Sequence, residues 1–195
     1  SGQVLHCPYD YKKARLIVAE MIDSLALELT EKEKMTNSIV LMIGYEIDNT
    51  FSYDGDIVTD YYGRKVPKPA HGHKTLDYST SSSKILTSKC LELYDEIINK
   101  NLLVRRINLC ACNVIDEKDA KKEVNFSQLD LFSDNNKFLE EKKEDKIKQN
   151  DEIKLQKTVT RLKNKYGKNI ILKAMSLEEG ATMKERNMQV GGHKG

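Results

Sequence analysis

Two helical stripes of apolar residues, separated by a segment rich in strand-forming residues, constrain the fold of this 195-residue chain most strongly. The first stripe follows Asp10, a suitable N-cap, and the second follows the serine run 81–83. Residues spaced by three or four share one face of a helix, so each helix must bury that face against another layer. The stripe residues are Ala14, Val18, Met21, Leu25 and Leu29, then Leu86, Cys90, Leu93 and Ile97.

Segments typical of strands surround the two helices. They are a short stretch around Val4 and Leu5, then residues 38–47, 57–62 (or one arm of a hairpin), 71–80 and 103–114. The order strand, helix, strands, helix, strand predicts an α+β fold. We expect a largely antiparallel four-stranded sheet with two helices on one face, followed by a charged, helical and partly flexible C-terminal tail.

The sheet face that the helices leave uncovered is either exposed to water or a binding surface. Its predicted side chains are polar or basic and suit phosphate contacts, although a merely solvated face is the alternative. They are Lys74, Tyr78, Thr80, Arg106 and Asn108.

Overall charge decides little about function. The formal net charge of +2 is too small to indicate nucleic-acid binding by itself, so only local clustering of charge can do so. On the first helix, we predict a solvated face that carries Lys12, Lys13, Glu20 and Asp23.

Neither a membrane span nor a signal peptide is predicted. No apolar run approaches the roughly 20 residues needed to cross a bilayer, and the polar N-terminal segment lacks the pattern of a secretory signal. We therefore expect a cytoplasmic protein with no membrane partner. The chain begins with Ser1, Gly2 and Gln3 rather than methionine, which suggests a fragment or a processed chain.

The cysteines and histidines do not indicate a metal site. The cysteines lack paired C-x-x-C spacing and are predicted to be reduced, structural thiols: Cys7, Cys90, Cys110 and Cys112. His71 and His73 flank a glycine and are potential ligands, but no carboxylate or cysteine cluster lies near them in sequence. No nucleophile–base pair or phosphate loop points to a small self-contained enzyme. We predict no metal and no cofactor in this chain.

A short apolar segment, Gln-Leu-Asp-Leu-Phe at 128–132, precedes a long run of alternating charge. Two leucines and a ring desolvate well in a pocket of a partner, and the glutamine amide fixes the register. The alternative is a late strand of the local core. The segment resembles the sliding-clamp-binding motif of bacterial replication and repair proteins, usually written Q-L-x-L-F. The implied clamp-binding residues are Gln128, Leu129, Asp130, Leu131 and Phe132.

The chain divides into four predicted parts. The charged helix ends at Gly167 and is expected to act mainly as a spacer, and the last part is expected to be mobile. The parts are a domain at 1–115, a linker with the clamp-type motif at 116–137, the charged helix at 138–168 and a glycine-punctuated segment at 169–195.

Three separated segments carry a wider resemblance. The first is residues 2–16, which contain Gly-Gln-Val-Leu and Pro-Tyr-Asp. The second combines residues 61–68, Tyr-Tyr-Gly-Arg-Lys-Val-Pro-Lys, with residues 102–107, Leu-Leu-Val-Arg-Arg-Ile. The third is residues 180–194, which contain Gly-Ala-Thr, Glu-Arg-Asn and Gly-Gly-His-Lys. Together they resemble the C-terminal part of UmuC/DinB-type Y-family translesion DNA polymerases, the little finger domain plus a clamp-binding tail. The resemblance covers essentially the whole chain.

The resemblance implies a domain that grips damaged or primer-template DNA. Arginine offers a charge-assisted fork to a phosphate, and hydroxyls beside the first N–H groups of a helix suit an anion. Neighbours along a strand point to opposite faces, which makes Arg106 better placed than Arg105. The implied DNA contacts are Arg105, Arg106, Thr80, Ser81, Ser82, Lys74, Arg64 and Lys65.

The resemblance also implies that catalysis resides elsewhere. Y-family polymerases transfer nucleotides with Mg²⁺ ions held by palm-domain carboxylates, which would lie upstream of Ser1. No residue here receives a catalytic role. We predict a DNA-gripping and clamp-tethering region of a translesion polymerase in DNA repair and the SOS response. The alternative is a stand-alone clamp-binding adaptor that does not bind DNA.

Overall fold

The computed structural model describes residues 1–51, 53–120, 136–190 and 193–194, with the backbone alone at 50–51, 136–149, 190 and 193–194. The strands are β1 (Gly2–Tyr9), β2 (Lys34–Tyr45), β3 (Ile57–Thr59), β4 (Lys65–Pro67), β5 (Ala70–Thr80), β6 (Val104–Cys112), β7 (Ile115–Asp116), β8 (Gln189–Val190) and β9 (His193–Lys194). The helices are α1 (Tyr11–Glu31), α2 (Ser83–Ile97), α3 (Asn136–Tyr166) and α4 (Met183–Arg186).

The main sheet confirms the predicted α+β fold. Its strands run in the order β1-β6-β2-β5, every pair is antiparallel, and β7 adds a short pairing at the start of β2. The hairpin of β3 and β4 is separate from this sheet, as is the short hairpin of β8 and β9. The predicted segment 57–62 therefore forms part of a hairpin, the second of the two predicted alternatives, with its strand at Ile57–Thr59 and its last residues in the turn.

The two predicted helices form because each has a cap and a continuous apolar face. Asp10 Oδ1 accepts from Lys13 N at 2.8 Å, and Ser82 Oγ accepts from Ile85 N at 3.2 Å. Within the stripes only Leu25 and Ile97 remain half-buried. The helices pack on one sheet face, whose buried side chains include Ile39, Leu41, Ile43, Ile107 and Leu109.

One face of α1 differs from its prediction. Glu20 and Asp23, expected to be solvated, are only 0% and 2% exposed. Glu20 Oε2 accepts from Thr182 N at 2.8 Å and from Met183 N at 3.0 Å. Asp23 Oδ1 lies 2.6 Å from Lys173 Nζ. The C-terminal segment thus covers this face of α1 and supplies the partners that make burial of two carboxylates tolerable.

The C-terminal half of α3 also packs on α1. Gln156 is 6% exposed, and its Nε2 donates to Thr30 Oγ1 at 2.9 Å. α3 ends as predicted before Gly167, whose φ of +103° is readily adopted by glycine. The division of the chain into four parts stays a prediction, but these contacts tie α3 to the sheet-and-helix domain. Within the part of the chain that the structure describes, no helix has the length and apolar character needed to cross a membrane.

Candidate nucleic-acid interface

The uncovered face of the main sheet is set by the strand register. Across the sheet, Arg106 of β6 pairs with Val4 of β1 and with Gly44 of β2. Paired residues in neighbouring strands point to the same side, opposite to the buried Ile107. The same register places a polar set on this open face: Asn108, His71, His73 and Thr75.

Arg106 is the exposed cation of the open face. It forms no ion pair with any residue that the structure describes. A Cβ added to Gly44 would lie 3.1 Å from Arg106 Cβ, so the glycine leaves room for the arginine on the neighbouring strand. The guanidinium is therefore available to an external anion.

Arg105 differs from its neighbour because it is engaged within the chain. Its Nε lies 3.5 Å from Glu46 Oε2, and its Nη1 donates to the carbonyl of His6 at 2.9 Å. Arg106 is therefore the freer of the two cations, and its role in DNA binding stays a prediction.

The β3–β4 hairpin brings Arg64 to the same region. A groove of about 350 Å³ separates the hairpin from the sheet, and its lining includes Arg64, Arg105 and Arg106 together. Three of the predicted DNA contacts thus share one groove. Lys65 lies on the same hairpin and is exposed.

Arg64 is held by Asp60. Its Nε donates to Asp60 Oδ2 at 2.8 Å, and this side-chain hydrogen bond is the main reason that the pKa of Asp60 lies below its ordinary value. Arg64 therefore carries less uncompensated charge than Arg106.

Lys74 is a correction to the predicted interface. It pairs in register with the buried Ile39, so it lies on the helix-covered side of the sheet. Its Nζ is 2.6 Å from Glu96 Oε1 and 3.5 Å from Glu92 Oε2, both on α2. The hydrogen bond to Glu96 is the main cause that raises the pKa of Lys74.

Tyr78 was also predicted on the open face, but it lies on the helix-covered side, where it lines a groove with residues of α2.

The turn before α2 differs from the prediction of an exposed phosphate contact. Its residues Thr80, Ser81 and Ser82 are only 3%, 2% and 0% exposed. α3 covers this turn. Glu152 accepts from Ser82 Oγ at 2.6 Å and from Lys84 N at 2.8 Å.

Gln156 of α3 also contacts the turn before α2. Its Oε1 accepts from Ser83 N at 2.9 Å, and its Nε2 donates to the carbonyl of Ser81 at 2.9 Å. The helix N-terminus does hold an anion, as its dipole and free N–H groups favour, but that anion is a carboxylate of the same chain. In this arrangement the turn is not accessible to a phosphate.

Two tyrosines at the tip of the hairpin were absent from the predicted site. Tyr61 and Tyr62 are 96% and 74% exposed, the highest values among the large apolar side chains that the structure describes. The sequence contains a signal for them, because the two adjacent aromatic residues directly precede Gly63 and the cations Arg64 and Lys65. They belong to the segment 61–68, which carries part of the family resemblance.

The sulfur and imidazole side chains show no clustering suited to a metal. No group of three His, Cys, Asp or Glu residues able to hold an ion occurs among the described residues. Cys90 is buried in the core, and burial raises the pKa of its thiol to about 12. Cys7 and Cys110 are exposed, and all four thiols are free.

The clamp-type motif, residues 128–132, lies outside the described residues. Its role therefore stays a prediction from the sequence.

Comparison with known proteins connects the domain to a family. The model of the impB/mucB/samB family C-terminal domain matches residues 6–131. That range contains α1, the β3–β4 hairpin, α2 and three of the four long strands completely. No curated protein matches the chain significantly.

Proposed function

The chain belongs to the impB/mucB/samB family through its C-terminal domain, the little-finger region of UmuC/DinB-type Y-family polymerases, and from this premise we propose that it grips DNA and tethers a translesion polymerase to a sliding clamp. The Mg²⁺-dependent chemistry belongs, in this proposal, to the polymerase and not to residues of this chain.

Arg106 on the open sheet face is the observation that carries the DNA-binding part. It is exposed, it lacks an ion-pair partner among the described residues, and it pairs across the sheet with Gly44, whose missing side chain leaves room for the arginine side chain. A cation on such a surface suits a phosphate, and phosphate contacts fix position without reading sequence.

The first prediction tests phosphate binding on the full chain. Replacing Arg106→Gln should weaken binding to a short duplex for all sequences alike and reduce the slope of log affinity against log salt by about one phosphate contact. The double change Arg105→Gln with Arg106→Gln should remove up to about two contacts. Fluorescence anisotropy titrations at several salt concentrations measure both slopes.

Lys74→Gln is the matched control for this experiment. It removes the same charge from the opposite side of the sheet, where two glutamates already compensate it. We expect its salt slope to equal that of the unchanged chain. A double arginine variant with an unchanged slope and altered sequence preference would contradict phosphate gripping.

The second prediction concerns the clamp. Replacing Leu131→Ala and Phe132→Ala together should cost at least about 2 kcal/mol of binding to a bacterial sliding clamp, because buried apolar anchors dominate such interfaces. Ser133→Ala, just outside the motif, is the control and should bind unchanged.

A peptide of residues 127–133 should compete with the whole chain for the clamp, as measured by displacement of a labelled chain. Failure of that peptide to compete, together with protection of the motif from hydrogen exchange in the free chain, would assign the motif to the core and end the tethering proposal. Salt-dependent duplex binding, in turn, separates the DNA-gripping function from a clamp adaptor without DNA affinity.

A further inference from the structure

We propose that the tip of the β3–β4 hairpin and the groove beside it bind unpaired nucleotides of single-stranded DNA, with Tyr61 and Tyr62 stacking on the bases. This inference rests on the proposed DNA-binding function. It adds a substrate class, unpaired bases, to the phosphate contacts of the open sheet face.

The hairpin tip is a tightly hydrogen-bonded turn. Asp60 Oδ1 accepts from the backbone N–H groups of Tyr62 and Arg64, both at 2.9 Å. Asp60 N donates to Arg64 O at 2.9 Å, and Gly63 N donates to Asp60 O at 3.0 Å. Gly63 has a φ of +78°, which a side chain would disfavour. The turn therefore presents its side chains from a fixed backbone, so ordering costs little on binding.

The two rings project from this turn into solvent. Their centroids lie 5.4 Å apart with an interplanar angle of 86°, so one ring meets the edge of the other and leaves π faces uncovered. The Arg64 guanidinium lies 5.2 Å from the Tyr62 ring centroid and restrains it. Restrained, exposed aromatic faces beside cations are the arrangement on which single-stranded bases stack.

The groove runs from Tyr62 at the hairpin tip to the sheet. Its apolar lining comes from both sides: Val4 and Met42 from the sheet, Val66 and Pro67 from the hairpin. Its volume of about 350 Å³ lies within the range of small-ligand sites. Apolar walls accept a base, and the guanidinium of Arg106 can pair with the phosphate attached to it.

Charge compensation distinguishes this site from simple phosphate gripping. Arg64 is paired with Asp60, Lys68 with Asp56 and Arg105 with Glu46. Because most cations here are already paired, stacking must supply most of the affinity, and its dependence on salt should be weak. Stacking also explains the preference for unpaired bases, since paired bases bury their faces within the duplex.

The experiment compares two DNA probes on the full chain. An oligothymidine single strand and a short duplex are titrated by fluorescence anisotropy, and a single strand containing 2-aminopurine reports stacking by quenching. The test variant carries Tyr61→Ala and Tyr62→Ala. The control carries Tyr61→Phe and Tyr62→Phe, which keeps both rings. Thermal melting of each variant checks the fold, which such exposed side chains should not affect.

We expect the alanine variant to lose about tenfold or more in single-strand affinity, together with the quenching, while its duplex affinity stays unchanged within error. The phenylalanine variant should retain both. Unchanged single-strand affinity in the alanine variant, with duplex binding still dependent on Arg106, would overturn this inference alone. Equal loss of both DNA affinities would also overturn it. Absence of any DNA binding by the unchanged chain would overturn the proposed function as well.

Discussion

At the scale of single residues, Asp95 joins the two helices that cover the sheet. Its Oδ1 accepts from the Tyr11 hydroxyl at 2.6 Å and from Arg15 Nε at 3.0 Å, and both donors belong to α1. Burial, the largest influence, acts to raise the pKa of Asp95. The hydrogen bonds from Arg15 and Tyr11, together with the positive charges of Arg15 and Lys100, outweigh it and hold that pKa below its ordinary value.

This gives a pH-dependent prediction for Asp95→Asn. A carboxylate whose pKa is lowered by folding stabilises the protein above its unfolded pKa of about 3.9, and that contribution is lost as the pH falls through the folded value. The variant should therefore have a lower urea midpoint at neutral pH, and the difference should shrink below about pH 4.

Asp56→Asn is the control for this measurement. Its carboxylate is largely exposed and pairs only at the surface with Lys68, so its replacement should change the midpoint little at either pH. A deficit for Asp95→Asn that is equally large at acid and neutral pH would assign the effect to packing rather than to the carboxylate charge.

The residues that sequence reasoning misplaced share one physical cause. Glu20 and Asp23 have the spacing of a solvated helix face, and nothing in their neighbourhood indicates burial. Their partners, Thr182 and Lys173, lie more than a hundred residues away in sequence. Periodicity reports which face of a helix is apolar, but a polar face covered by a distant polar segment gives the same pattern as a face exposed to water.

At the scale of elements, the approach of α2 to β5 depends on a glycine. A Cβ added to Gly72 would lie 2.8 Å from Ile97 Cγ2 and 2.9 Å from Leu93 Cδ1. The absence of a side chain therefore lets the end of α2 pack directly on the strand.

Replacing Gly72→Ala should consequently destabilise the fold by about 1–3 kcal/mol, because the apolar stripe of α2 must shift to admit a methyl group. Urea denaturation monitored by circular dichroism measures this free energy of unfolding. Thr75→Ala, on the open face of the same strand, is the control and should stay within about 0.5 kcal/mol of the unchanged chain. An equally stable Gly72→Ala variant would show that α2 packs farther from the sheet.

The elements themselves were largely predictable, because each carries its own local pattern and cap. α1, α2 and the long strands follow from apolar spacing, from Asp10 and from Ser82. The docking of α3 did not follow. Its contact with the α2 N-terminus depends on two polar residues, Glu152 and Gln156, within a helix whose dense charge is typical of full exposure. The predicted phosphate site at 80–82 was misjudged for the same reason.

At the scale of the whole molecule, α1 lies between two layers, the sheet on one side and the C-terminal segment on the other. Met183 is 2% exposed, and its backbone N donates to Glu20. Arg186 is also buried, and burial is the main cause that lowers the pKa of its guanidinium. The residues after 150 thus complete the domain that the sheet and the first two helices begin.

A prediction at this scale is that Gln156→Ala loosens the docking of α3. The change leaves the buried Ser83 N without the acceptor that Gln156 supplies, at a cost of about 1–3 kcal/mol for a buried group left unsatisfied. Thr30 Oγ1 loses the Gln156 donor but keeps its hydrogen bond to the carbonyl of Ala26. Hydrogen exchange should accelerate at the amides of Ser83 and Lys84. Lys154→Ala, exposed on the same helix, should leave that exchange unchanged. Unchanged exchange in the Gln156 variant would show that α3 is held mainly by other contacts.

The salt bridge between Lys157 of α3 and Glu117, at 2.9 Å, holds the chain against α3 shortly before the clamp-type motif. Gln128 follows Glu117 by only eleven residues, and a fully extended chain advances at most about 3.6 Å per residue. Whatever path the chain takes, Gln128 therefore lies within about 40 Å of Glu117. α3 follows the motif in sequence and contacts Glu117 through Lys157. The limit of about 40 Å between Glu117 and Gln128 therefore does not depend on the length of the chain after the motif. In the proposed clamp complex, the domain would therefore stay within about 40 Å of the clamp-bound motif.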